Sequence, residues 1–254
     1  MWKLALAFAA VLSSAACGSD GRSAATSAQP SGSLTVFAAA SLTEAFNDHA
    51  ATLEASHPKL AIKFSFAGSG GLVTQVEQGA PADVIATADA ASMKRLTDAW
   101  LVEAPTTFAR NKLEILVAPG NPLAITGLAD LARDDVKLVL GDESVPVGRF
   151  SAQALRAAGV TTNPVSREGD VKAVVAKVTL GEADVAIVYA TDVIAAGAKG
   201  QGVVIPDDQN VIAHYPIAIV KTTGNRSAAA AFVEEMVRGR GQDALRGRGF
   251  LPAA

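Results

Sequence analysis

The chain is poor in the residues from which most catalytic and nucleic-acid sites are built. It has a single cysteine, Cys17, so no disulfide can form within it and no cysteine cluster can hold a metal. Its three histidines, His49, His57 and His214, lie far apart without a carboxylate cluster at ligand spacing, which leaves them solvated or capping roles. Aromatic residues make up 5% of the chain and tyrosine occurs twice, too few for a base-stacking surface. Charged residues are also sparse, at 19%, and the formal net charge is −3 with no basic cluster, which argues against nucleic acid as a partner. No segment after Cys17 is apolar for long enough to span a membrane. No Lys follows the glycines around Ser69, so they do not form a P-loop. No G-x-S-x-G surrounds a serine, so there is no elbow nucleophile.

What is present is apolar. Half of the 254 residues are hydrophobic, enough for one large or two medium globular domains. Residues 1–17 read as an export signal: Lys3 supplies the charge, Leu4–Leu12 a short apolar core, and Ser14-Ala15-Ala16 lead to Cys17. The pattern resembles a bacterial lipoprotein signal in which Cys17 is lipidated, although Ser14 stands where leucine is expected. A plain secretory signal cut at the same alanines is the alternative, and either one exports the protein. Residues 18–33 (GSDGRSAATSAQPSGS) are small, polar and aperiodic, and read as a flexible tether.

The body is organised around Leu34–Glu44, LTVFAAASLTE. A buried strand runs into three alanines, and Ser41 opens a helix with Glu44 at the spacing of a capping box. Small residues allow close approach to the backbone, and a helix N-terminus offers unpaired N–H groups with partial positive charge. The same arrangement recurs. Strand Ala61–Phe66 leads through Gly68-Ser69-Gly70-Gly71 into helix Leu72–Gln78. Strand Val136–Leu140 leads through GDESVPVG into helix Arg149–Ala157, with Pro146 suited to its first turn. Asp170 is placed to cap the helix Lys172–Leu180, and strand Asp184–Tyr189 ends at a tyrosine.

Further strands are expected at Asp83–Ala88, Lys112–Ala118 and Tyr215–Val220, the last crossing back to the first half. This predicts an α/β protein of two lobes, residues 34–111 with 215–254 and residues 112–214. Ligands of open α/β sheets bind at the carboxyl ends of strands, so the small-residue turns should face a common cleft.

AAASLTEAF (Ala38–Phe46), FAGSGGL (Phe66–Leu72), GAPADV (Gly79–Val84), GDESVPVG (Gly141–Gly148), GDV (Gly169–Val171) and IVYATD (Ile187–Asp192) occur in that order. Together they resemble the molybdate-binding proteins of bacterial ABC importers, from about Leu34 to Leu251. The resemblance implies a type II periplasmic-binding-protein-like fold with its ligand cleft between the lobes. It implies a monomer that is not an enzyme, needs no cofactor and delivers molybdate or tungstate to an ABC permease. Carried over residue by residue, the anion would be held by the hydroxyls of Ser41 and Ser69, by backbone N–H groups at Ser41, Ser69, Val147 and Val171, and by the Tyr189 hydroxyl. Relatives often have alanine at the position of Val147, a change that a backbone donor tolerates. Gly68 and Gly70 stand where some relatives are serine-rich, which bears on pocket volume.

The chemistry agrees. Molybdate is a fully deprotonated dianion at neutral pH and needs donors only, which helix N-termini supply without burying Lys or Arg. Phosphate keeps a proton and needs an acceptor. Sulfate has the same charge with shorter bonds, so a sulfate receptor is the closest rival. An enzyme reading would make Ser41 or Ser69 a nucleophile and need a base beside it, and His49 should point away from the helix start. A surface adhesin or scaffold would melt without regard to anions.

Overall fold

The computed structural model describes Trp2 and residues 29–253, so the expected signal, Cys17 and most of the tether lie outside the described residues. The first half is built from parallel strands β1 (Gly32–Ala39), β2 (Leu60–Ala67) and β3 (Val84–Ala86). Each is followed by a helix: α1 (Thr43–Ser56), α2 (Ser69–Glu77) and α3 (Ala90–Asp98). A strand between two helical layers must be apolar on both faces, which is why β1 reads as a continuous hydrophobic run. Leu34, Val36 and Ala38 join one cluster with Phe46 and Phe232, while Phe37 joins Leu72, Val76, Met93 and Leu96 on the opposite face.

Two long antiparallel strands, β4 (Thr106–Val117) and β9 (Ile212–Ile219), carry the chain out and back. β4 pairs with β9 up to Lys112↔Ile212, then from Leu113↔Tyr189 onward pairs with β7 (Val185–Tyr189) in the second half. That half contains β5 (Leu138–Gly141), α4 (Pro146–Ala157), β6 (Ser166–Glu168), α5 (Val171–Thr179), α6 (Ala190–Ala196) and β8 (Gln201–Val204). The order across the sheet is β2-β1-β3-β9-β4-β7-β5-β6, with β8 paired to β4. Helices α7 (Arg226–Arg238) and α8 (Gly241–Gly247) return to the first half, where Phe232 meets Phe46 edge-on at 5.5 Å between ring centroids.

The structure corrects several sequence expectations. Ser41 caps no helix: it lies in a 3₁₀ turn, Ala40–Leu42, and the expected capping box with Glu44 is absent. Both side chains have longer-range partners, the Ser41 hydroxyl on Tyr215 and the Glu44 carboxylate on Lys172, and these outcompete a local cap. Ser69 is the first residue of α2 and Gly68 takes the cap position, so that helix starts earlier than its apolar period suggests. His49 is not solvated: it is 2% exposed and packs near Phe232. The short segments β6, β8 and α6 carry no periodicity strong enough to announce them.

Candidate functional site

The carboxyl ends of β1, β2, β3, β5, β6 and β7 converge on one small pocket of about 20 Å³. Its walls include Ala39, Ala40, Ser41, Gly68, Ser69 and Ala88 from the first half, and Val145, Val147, Asp170, Val171 and Tyr189 from the second. Ser41, Ser69, Val147, Val171 and Tyr189, singled out from the sequence, are thus brought round a single space. Among the described residues no Lys or Arg lines it.

Each wall offers hydrogen-bond donors for a local reason. Ser69 opens α2, Val171 opens α5, and Val147 follows Pro146 at the start of α4, so their N–H groups have no intrahelical partner. Gly148 is required behind Val147, because a Cβ there would meet the Asp142 carbonyl oxygen at 2.0 Å. The Ser69 hydroxyl oxygen accepts the Ala88 N–H at 3.0 Å, which leaves its own hydrogen free. Ser41 Oγ lies 2.9 Å from the Tyr215 hydroxyl.

Tyr189 is 1% exposed and its hydroxyl is buried without a hydrogen-bond partner. Burial, reinforced by Tyr215 and Asp192 nearby, pushes that phenol well above its usual range, so it remains a protonated donor. Asp170, the one carboxylate in the lining, accepts the Ala173 N–H at 2.9 Å and caps α5 as the sequence suggested.

The two walls touch. A Cβ on Gly68 would come within 2.3 Å of the Gly169 carbonyl oxygen and 2.8 Å of Val145 Cγ1, both on the opposite wall. Arg149 of α4 forms an ion pair with Asp89, which also caps α3. Lys172 of α5 reaches Glu44 of α1 at 2.8 Å and the fully buried Asp192 at 3.1 Å. Burial alone would lower the Lys172 pKa, but Asp192 and Glu44 outweigh it and hold the ammonium charged. The cations therefore stand outside the lining and already have partners, while the donors in the lining are neutral.

Sequence reasoning passed over Tyr215, reading it only as part of a crossing strand. The available signal was its rarity, since it is one of two tyrosines in the chain.

Two α/β halves joined by two crossing strands, with a donor-lined pocket between them, are the architecture of a solute-binding protein. The chain belongs to the bacterial extracellular solute-binding proteins, whose family model matches residues 34–251. It is 38% identical over 238 residues to the molybdate-binding protein ModA of Mycobacterium tuberculosis, covering 92% of this chain and 91% of that one. The substrate-binding domain of a putative molybdenum ABC transporter from Clostridium difficile superposes with a TM-score of 0.66 at 27% identity, covering 87% of this chain and 99% of that one. The sulfate-binding protein SubI of M. tuberculosis superposes at 0.75 with 21% identity, covering 87% and 86%, a likeness of fold alone.

Proposed function

We propose that this protein captures molybdate, and tungstate with it, outside the cell membrane and hands it to the permease of an ABC importer. The observation that carries the reading is the pocket itself: helix N-termini, two serine hydroxyls and a buried phenol around a small space, with one carboxylate, Asp170, turned to cap α5 and no Lys or Arg in the lining among the described residues. Such a set suits a fully deprotonated tetrahedral dianion. The anion ligands are Ser41, Ser69, Val147, Val171 and Tyr189. Residues 34–111 with 215–254 form one moving lobe and residues 112–214 the other, with the change of partners along β4 acting as the hinge. Cys17 is lipidated and tethers a monomer to the outer face of the membrane through residues 18–33.

A sulfate receptor uses the same donors, and pocket size separates the two. An anion-panel melting scan tests the assignment. At one hundred times Kd, binding to the native state adds about 2.7 kcal/mol. For a body of this size that is roughly 5–10 °C. Molybdate and tungstate give this shift, sulfate a much smaller one at equal concentration, and phosphate none. A sulfate shift as large as that of molybdate would contradict the substrate named here.

A further inference from the structure

Tyr215 is fully buried in the crossing strand β9 and does not line the pocket, yet its hydroxyl is 2.9 Å from Ser41 Oγ. Its ring meets Tyr189 edge-on at 6.0 Å and Phe250 at 5.4 Å, so packing from both sides fixes it. In a phenol–alcohol pair the phenol is the stronger acid and the alkyl hydroxyl oxygen the better acceptor. Either hydroxyl could donate across this contact, and the acidity difference favours Tyr215 as the donor. Ser41 makes no other side-chain hydrogen bond among the described residues.

We propose that Tyr215 is a positioning residue for the anion site: it donates to Ser41 Oγ and thereby turns the Ser41 hydroxyl hydrogen into the pocket. This rests on the reading of the pocket as an oxyanion site. Ser69 is arranged in the same way, with the Ala88 N–H occupying its acceptor face. Both serines are thus held as donors, one by a backbone amide and the other by a side chain on the strand that joins the halves. Without the phenol, the Ser41 hydroxyl is free to rotate and to offer the ligand a lone pair instead of a hydrogen.

The test is a double-mutant cycle read by calorimetry with molybdate on the full-length protein: wild type, Tyr215→Phe, Ser41→Ala and the double variant. Tyr215→Phe keeps the ring against Tyr189 and Phe250, and a melting curve without anion checks that the fold is retained. The expected result is a Kd raised about 3–10-fold by Tyr215→Phe, the typical worth of one hydrogen bond. In the Ser41→Ala background the same change should have less than about a twofold effect, because Tyr215 acts through Ser41. Losses that simply multiply, or no loss in Tyr215→Phe, overturn the role of Tyr215 while leaving the site in place. A wild type that binds neither molybdate, tungstate nor sulfate removes the oxyanion reading itself, and the role of Tyr215 falls with it.

Discussion

The two walls of the cleft supply donors in different ways. The first-half wall presents two serine hydroxyls, each already hydrogen-bonded to a neighbour, Ser41 to the Tyr215 hydroxyl and Ser69 to the Ala88 N–H. The second-half wall presents backbone at the starts of α4 and α5 and one buried phenol, Tyr189, which has the Tyr215 hydroxyl near it but makes no well-formed hydrogen bond. One wall is fixed before ligand arrives. The other is left with a buried hydroxyl unsatisfied. Under the proposed reading a bound anion would remove that cost, and the ligand would favour closure chiefly through what the second wall lacks.

The most damaging way to break this relation is to keep the walls apart. Gly68→Ala places a Cβ against the Gly169 carbonyl oxygen and Val145, contacts that exist only across the cleft. Affinity for molybdate should fall by about 3 kcal/mol, the upper end of overpacking costs, with the melting temperature of the ligand-free protein unchanged. An equal loss of unliganded stability would place the strain within one half. A pair of substitutions then sharpens the contrast between walls. Ser69→Ala and Tyr189→Phe should each cost about 1.5–3 kcal/mol of molybdate affinity, as for hydrogen bonds to a charged group. Only Ser69→Ala should also lower unliganded stability, because it strands the Ala88 N–H, whereas Tyr189→Phe removes a hydroxyl that has no partner to lose. Calorimetry and melting on the same samples read both effects.

The smallest expected effect lies away from the cleft. Burial lowers the His49 pKa from 6.5, opposed by Glu235, so the folded protein keeps this side chain neutral where the unfolded chain protonates it. The stability held by a neutral His49 is present above about pH 6.5 and is lost as pH falls toward the depressed folded value. Melting temperature should therefore drop on acidification from pH 7.5 to 5.5, and less so in His49→Gln. Since His49 does not line the pocket, molybdate affinity per folded molecule should change far less. An acid-induced loss of melting temperature that is unaltered in His49→Gln would assign it to other groups.

Much of the fold is legible because its strands are buried on both faces and its helices are amphipathic. Helix α1 ends where His57-Pro58 stops it, and β7 ends at Tyr189 as its apolar run does. The positions of the candidate ligands are also legible, since each stands at or just after the carboxyl end of a strand, Ser41 and Ser69 behind runs of small residues. What stays hidden is long-range. Ser41 and Glu44 look like a local capping box, but partners 174 and 128 residues away claim them. The start of β4 at Thr106, ahead of the apolar run at Lys112, depends on pairing with β9 about a hundred residues later. The short edge strands β6 and β8 exist only because a neighbour offers them a ladder.

The central claim is that a bound molybdate is held by neutral donors from both walls. A crystal structure of the complex, with the metal located by its anomalous scattering, tests it most directly. The account predicts oxyanion oxygens within hydrogen-bond distance, about 2.7–3.2 Å, of Ser41 Oγ, Ser69 Oγ, the Val147 and Val171 nitrogens and the Tyr189 hydroxyl. Arg149 and Lys172 should remain on Asp89 and Glu44. An anion bound by either of those cations, or contacted by one wall alone, would contradict it.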